Sequence, residues 1–311
     1  MNRSLLAVLV PAIVLAGTVS LAGCGSGSNG SPGGGKPINV EASFYPLQWM
    51  AQQVGGSRVK VFSLTKPGAE PHDLELTPSD VAAVHDADVI VYLSGFQPAV
   101  DEAVTGSDAT VFDAKDAANL DLTFTPIEEG KQHQSEAGAT DPHFWLDPTR
   151  LANVADAFAA TMAKQDPKSA TIYKANAKAL RTKLDDLDRA YKAGLADCAN
   201  KDLVTSHNAF GYLAQRYGMK QIGITGLTPD DEPAAGQLAD VTDFVEKNKV
   251  RTIYFETLVS PRVAQAVASE ASVKTDVLDP IEGLNKTSQG HDYLGVMRAN
   301  LRNLRAGQPC P

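Results

Sequence analysis

Cysteine is scarce in this 311-residue chain: it has three, and none lies in a paired spacing that would build a zinc ribbon or a redox CxxC pair. Aromatics make up only 6% of the residues. Positive charge is in deficit, with 28 Lys and Arg against 37 Asp and Glu and a formal net charge of −9, which argues against nucleic acid as partner, since that usually selects a basic face. No HExxH occurs, so the commonest helical signature of a zinc protease is missing. Long apolar runs are absent beyond residue 21, and nothing after the N-terminus reads as a membrane span.

The single apolar run, Leu5 to Leu21, follows a short basic start at Arg3 and ends in "LAGC", Leu21 to Cys24. That is the layout of a secretory signal, residues 1–23, and the tetrapeptide resembles a bacterial lipobox, whose cysteine is lipidated. Residues 24–36, "CGSGSNGSPGGGK", then read as a flexible tether. The expected product is exported and lipid-anchored through Cys24 on the outer face of the cytoplasmic membrane, or periplasmic. Export leaves Cys198 and Cys310 in an oxidising compartment, where an even remainder points to one disulfide.

From Ile38 onward, short buried strands alternate with helices, the pattern of a parallel α/β sheet. "INVEAS", "VKVFSL", "DVIVYL" and "TVFDA" read as strands, and Ser79 is the expected N-cap of the helix "SDVAAVHDA". A polar loop, about 125–139, follows. The longest helical pattern, 166–197, opens on Asp166 and Pro167, with Tyr173, Leu180, Leu184, Leu187, Tyr191 and Leu195 on one stripe. Roughly 30 residues of helix span about 45 Å, long enough to join two lobes rigidly. The alternation then restarts with "DLVTS", "KQIGIT", "TIYFE" and "KTDVLD". The chain thus divides into lobes at 37–165 and 198–311, with one cleft between them.

Three of the six histidines, with one aspartate, fall where this plan places ligands. His72 comes after the second strand, His143 after the fourth, His207 directly after "LVTS", and Asp279 directly after "DVL". In open parallel sheets the carboxyl ends of the strands form the ligand edge. Three imidazoles and one carboxylate are a suitable tetrahedral set for zinc. Phe44, Trp145 and Phe210 are candidates for an apolar wall around the site. Glu70, Asp141 and Asp147 are candidates for supporting carboxylates, with Glu70 also a candidate for a substitute oxygen ligand and Asp147 placed to cap a helix. His85 reads as a solvated helix residue, and His291 as the start of the last helix.

At these residues the chain resembles the metal-binding cluster (cluster A-I) of ABC-transporter solute-binding proteins, the zinc and manganese uptake lipoproteins. The segments that carry the resemblance are "GAEPHDLELTPSD", "DPHFWLDP", "SHNAFGYLAQRYG", "SPRVAQAVASEASV", "LDPIEGL" and "YLGVMRANLRNLRAG". It covers essentially all of the mature chain. It implies two (β/α)4 lobes, each with a four-stranded parallel sheet, joined by one long rigid helix, with one metal between them. It carries the ligand roles onto His72, His143, His207 and Asp279. Zinc-type members have histidine at the third position and manganese-type members a carboxylate, so His207 implies Zn2+ as the transported ligand, ahead of Mn2+ or Fe2+. The implied partners are a membrane permease and its ATPase; the expected state is a monomer, and not an enzyme. Many zinc-type members carry a His/Asp-rich loop before the second ligand, whereas the loop here has only His133. That departure puts a secondary metal site in doubt. Topology also favours a Cys198–Cys310 bridge, because both ends fall at the edge away from the metal. A surface adhesin, a binder of a chelated metal or small organic ligand, and a zinc hydrolase are the rival readings.

Overall fold

The structure, a computed structural model, describes residues 36–124 and 137–310. The signal, Cys24, nearly all of the tether and His133 lie outside the described residues. No helix among the described residues is long and apolar enough to cross a membrane.

Eight short strands form two four-stranded sheets. The first contains β1 (Ile38–Ala42), β2 (Val59–Ser63), β3 (Val89–Tyr92) and β4 (Thr110–Asp113), in the order β2-β1-β3-β4. The second contains β5 (Asp202–Thr205), β6 (Lys220–Gly223), β7 (Thr252–Phe255) and β8 (Lys274–Val277), in the order β6-β5-β7-β8. Every pairing is parallel, and Val40 is aligned with both Val61 and Val89. The two orders are the same, so the second half repeats the plan of the first. Each sheet reverses direction of winding beside its first strand, and such a switch point opens a crevice at the carboxyl ends of the strands.

The helices are α1 (Tyr45–Gly55), α2 (Pro78–Asp86), α3 (Pro98–Thr105), α4 (Lys115–Ala118), α5 (Pro148–Gln165), α6 (Ala170–Leu195), α7 (Gly211–Tyr217), α8 (Ala235–Lys247), α9 (Arg262–Glu270) and α10 (Tyr293–Gly307). The long helix α6 begins four residues later than expected, because Pro167–Ser169 form a separate 3-10 turn after Asp166. Its 26 residues bury the predicted stripe, Tyr173, Leu180, Leu184, Leu187, Tyr191 and Leu195. That stripe packs on α1 and α5 on one side and α10 on the other, so the two halves share one continuous core.

Helix α5 was expected only at its start, where Asp147 was placed to cap a helix. Asp147 caps it by accepting from the Thr149 N–H at 2.8 Å, and Pro148 occupies the first turn, where its missing donor costs nothing. Leu151, Val154, Ala155, Phe158 and Met162 are buried against the core. The cap of α2 is Thr77 rather than Ser79: Thr77 and Asp80 form a reciprocal capping box, and Ser79 is the second residue of the helix. His85 is exposed near the end of α2. His291 precedes α10 without capping it, since Asp292 accepts from the Gly295 N–H.

Candidate metal centre

Nε2 atoms from three histidines converge on one carboxylate oxygen. Oε1 of Glu282 lies 3.1 Å from Nε2 of His143, 3.2 Å from that of His207 and 3.5 Å from that of His72. Nε2 of His72 and of His143 are 3.3 Å apart. All four donor atoms lie within 4.8 Å of one another. Zinc bonds of about 2.0–2.1 Å in a tetrahedron place neighbouring donors roughly 3.3 Å apart, and four of the six separations here, at 3.1, 3.2, 3.3 and 3.5 Å, are close to that edge.

The structure therefore brings together the three predicted histidines but replaces the fourth predicted residue. Asp279 is buried beside the cluster and does not face it. Its Oδ1 accepts from the Ile281 N–H at 2.8 Å and its Oδ2 from the Thr257 hydroxyl at 3.0 Å. Ile281 takes a positive φ of 59°, a costly conformation for a β-branched residue. Asp279 thus stabilises a tight turn whose next residue, Glu282, points into the cleft. Burial pushes the Asp279 carboxyl up to about 6.

Each half supplies a carboxylate that sets the tautomer of one imidazole. Oδ1 of Asp141 accepts from Nδ1 of His143 at 2.8 Å and also from the His143 backbone N–H at 2.9 Å. Oε1 of Glu256 accepts from Nδ1 of His207 at 2.7 Å and from the Ser206 hydroxyl at 2.6 Å. An ionised carboxylate only accepts, so Nδ1 carries the proton and the Nε2 lone pair faces the cleft. Asp141 was expected in this role. Asp147 was a candidate too, but its side chain caps α5. Glu256 was not expected, although it follows the end of β7 just as His207 follows that of β5.

Glu70 is not among the converging donors. Its Oε1 accepts from the His72 backbone N–H at 2.9 Å. Burial, with the nearby Glu282 charge, pushes its carboxyl up to about 9. Burial also lowers His72, so that ring is neutral and ready to ligate. Burial works against charge at His207, but Glu256 and Glu282 outweigh it and hold that imidazole well above its ordinary value. His143 is raised in the same way, against burial, by Asp141 and Glu282. Burial opposes the charge on Glu282 as well, yet His207 and the other imidazoles hold it well below the usual carboxylate range.

Behind the rings lies an aromatic wall. Phe44 packs at 4.8 Å on both Phe96 and Trp145, and Phe96 and Trp145 contact the rings of His72 and His143 at 4.7 and 5.3 Å. Phe44 and Trp145 were expected; Phe96 was not. Phe210 is buried at the start of α7. Trp145 does more than pack: its indole N–H donates to the Pro280 carbonyl at 2.7 Å, two residues before Glu282.

The family comparison bears on this arrangement directly. Residues 40–307 match the model of the family described as ZnuA, "Zinc-uptake complex component A periplasmic". The chain belongs to this family. It is 35% identical over 310 residues to the high-affinity zinc uptake system protein ZnuA of Bacillus subtilis (strain 168), covering 94% of this chain and 95% of that protein. It matches the Zn(II)-bound ZnuA-like domain of Streptococcus pneumoniae AdcA with a TM-score of 0.73 and 35% identity, over 88% of this chain and all of that domain. Full-length AdcA of the same species is longer, and the chain spans 57% of it. It also matches the laminin-binding protein Lmb of Streptococcus agalactiae, described as having adhesin and metal transporting activity, with a TM-score of 0.76, 33% identity, and 88% and 99% coverage.

Far from this site, Cys198 and Cys310 form a disulfide. It joins the residues before β5 to those after α10, at the opposite edge of the second sheet.

Proposed function

We propose that this protein is the extracytoplasmic solute-binding component of a zinc importer. It captures Zn2+ between its two lobes through His72, His143, His207 and Glu282, and presents it to a membrane permease driven by an ATPase. The observation that carries this reading is the meeting of three Nε2 atoms around one buried carboxylate oxygen, with all four donors within 4.8 Å of one another.

The electrostatics support a cation as the cargo. Glu282 is fully buried, and its Oε2 has no hydrogen-bond partner. A buried carboxylate left so is costly, and a divalent cation offsets that cost. Three nitrogens and one oxygen favour zinc over manganese, which prefers oxygen-rich sites. Four protein donors also leave no position for the water that a catalytic zinc keeps, which favours capture over hydrolysis. The lobes, 37–165 and 198–311, are the two halves of the trap, with the helix through 166–197 as their common support. A lipid on Cys24 would tether a monomer to the membrane surface.

The test is metal analysis of the protein purified without chelators, followed by competition between zinc and manganese. One zinc per chain, retained against equimolar manganese, is the expected result; preferential retention of manganese would overturn the assignment.

A further inference from the structure

The segment "GYLAQRYG" follows the His207 loop, and zinc ligation by itself leaves it without a role. It forms α7, which is fastened to the other half of the molecule along its length. At its start, Gly211 lies so close to Asp141 that a Cβ there would stand 2.4 Å from Oδ2. The next residue, Tyr212, is fully buried. Its hydroxyl donates to the Asp141 carbonyl at 3.1 Å and accepts from the Leu122 N–H at 3.3 Å. The Arg150 guanidinium covers the Tyr212 ring at 4.4 Å, and donates to Gln215 Oε1 at 3.3 Å and Asp121 Oδ1 at 2.8 Å. One turn further on, Arg216 makes two bonds to Asp188 of α6, at 2.9 and 3.1 Å, and comes within 3.9 Å of Asp147.

The residue gripped most directly is Asp141, whose carboxylate orients His143. We propose that Tyr212 is a positioning residue for metal capture: it ties α7, the helix that leads out of the His207 loop, to Asp141, and so sets the His143 imidazole relative to His207 across the cleft. The proposal rests on the zinc-binding reading but adds a residue that touches no ligand atom. A hydroxyl that only stabilised the fold would lower the stability of the metal-free and zinc-loaded forms alike. A positioning hydroxyl lowers the zinc-loaded form more, so the zinc-induced rise in melting temperature shrinks.

The test compares Tyr212→Phe with Tyr191→Phe in the full chain. Tyr191 is an equally buried phenol whose hydroxyl donates to the Met297 carbonyl at 2.6 Å, away from the metal loops. Zinc affinity is read by chelator competition, and metal geometry by the visible spectrum of the cobalt-loaded proteins. Tyr212→Phe is expected to weaken zinc binding about 10-fold, the lower end of what outer-shell changes cause, and to alter the cobalt spectrum. Tyr191→Phe is expected to keep both while losing stability. Equal zinc affinity in Tyr212→Phe and the unaltered chain would overturn the proposal, as would an equal loss in Tyr191→Phe. The zinc reading fails separately, if the unaltered chain takes up no zinc; the same pair of variants is then compared with cobalt, and equal affinities again overturn the role of Tyr212.

Discussion

Oε1 of Glu282 lies 3.1 Å from Nε2 of His143, and the two residues come from opposite halves of the chain. Nδ1 of the same ring is held by Asp141, so Nε2 is the nitrogen aimed at Glu282. In the proposed site a zinc ion between these two atoms would make them one edge of its coordination tetrahedron.

Glu282 and Asp279 separate cleanly by substitution. Glu282→Gln removes a charged donor and is expected to weaken zinc binding by at least about 100-fold. Asp279→Ala leaves the ligand set intact but frees the Ile281 N–H and the Thr257 hydroxyl. It is expected to cost about 1–3 kcal/mol of fold stability, with a smaller loss of affinity than Glu282→Gln. Chelator competition and denaturant unfolding of both variants check this; a larger affinity loss in Asp279→Ala contradicts it.

Glu256 is not among the converging donors and bears on them through Nδ1 of His207. Glu256→Ala removes the acceptor at Nδ1 and releases the ring from its fixed tautomer. Zinc affinity is expected to fall about 10- to 100-fold with one-to-one stoichiometry retained, as measured by calorimetric titration.

How far the site was legible in the sequence turns on that pair of carboxylates. The strands could be read because most carry a short apolar run, as in VIVY and TIYF, and they alternate with helices, and the strand-end rule then picked out His72, His143 and His207. The same rule picked Asp279, the first carboxylate after β8, over Glu282, three residues later. What separates them is the left-handed turn at Ile281, which no periodicity announces in a non-glycine residue. Glu256 was within reach of the rule, at the end of "TIYFE", and needed only the same reasoning applied to β7. Helix α5 carried a signal too, in Leu151, Val154, Phe158 and Met162. The alanines between them blur the contrast between its faces.

Zinc binding must release protons. His143 and His207 are both held above the ordinary histidine value of about 6.5, and neither ligates through Nε2 while that nitrogen is protonated. Affinity should therefore climb with pH through and above that value and fall with acid. The release is measurable in weakly buffered solution, and no release would contradict the charge arrangement. The same shifts fix the sign for the metal-free fold. Raised histidines contribute stability that is fully present below the unfolded value and is lost as pH rises through the folded one. The gap in melting temperature between zinc-loaded and metal-free protein should thus widen on the alkaline side.

The Cys198–Cys310 bridge closes a loop of 112 residues at the edge away from the metal. Reduction is expected to cost about 2–4 kcal/mol of stability and to leave zinc stoichiometry unchanged. Thermal unfolding with and without reductant, each followed by zinc titration, reads both quantities.

The most direct measurement is anomalous diffraction at the zinc edge, from crystals grown with one equivalent of zinc. The predicted result is one peak, about 2.0–2.2 Å from Nε2 of His72, His143 and His207 and from a carboxylate oxygen of Glu282. A peak elsewhere, or one bound by Asp279 in place of Glu282, would contradict it.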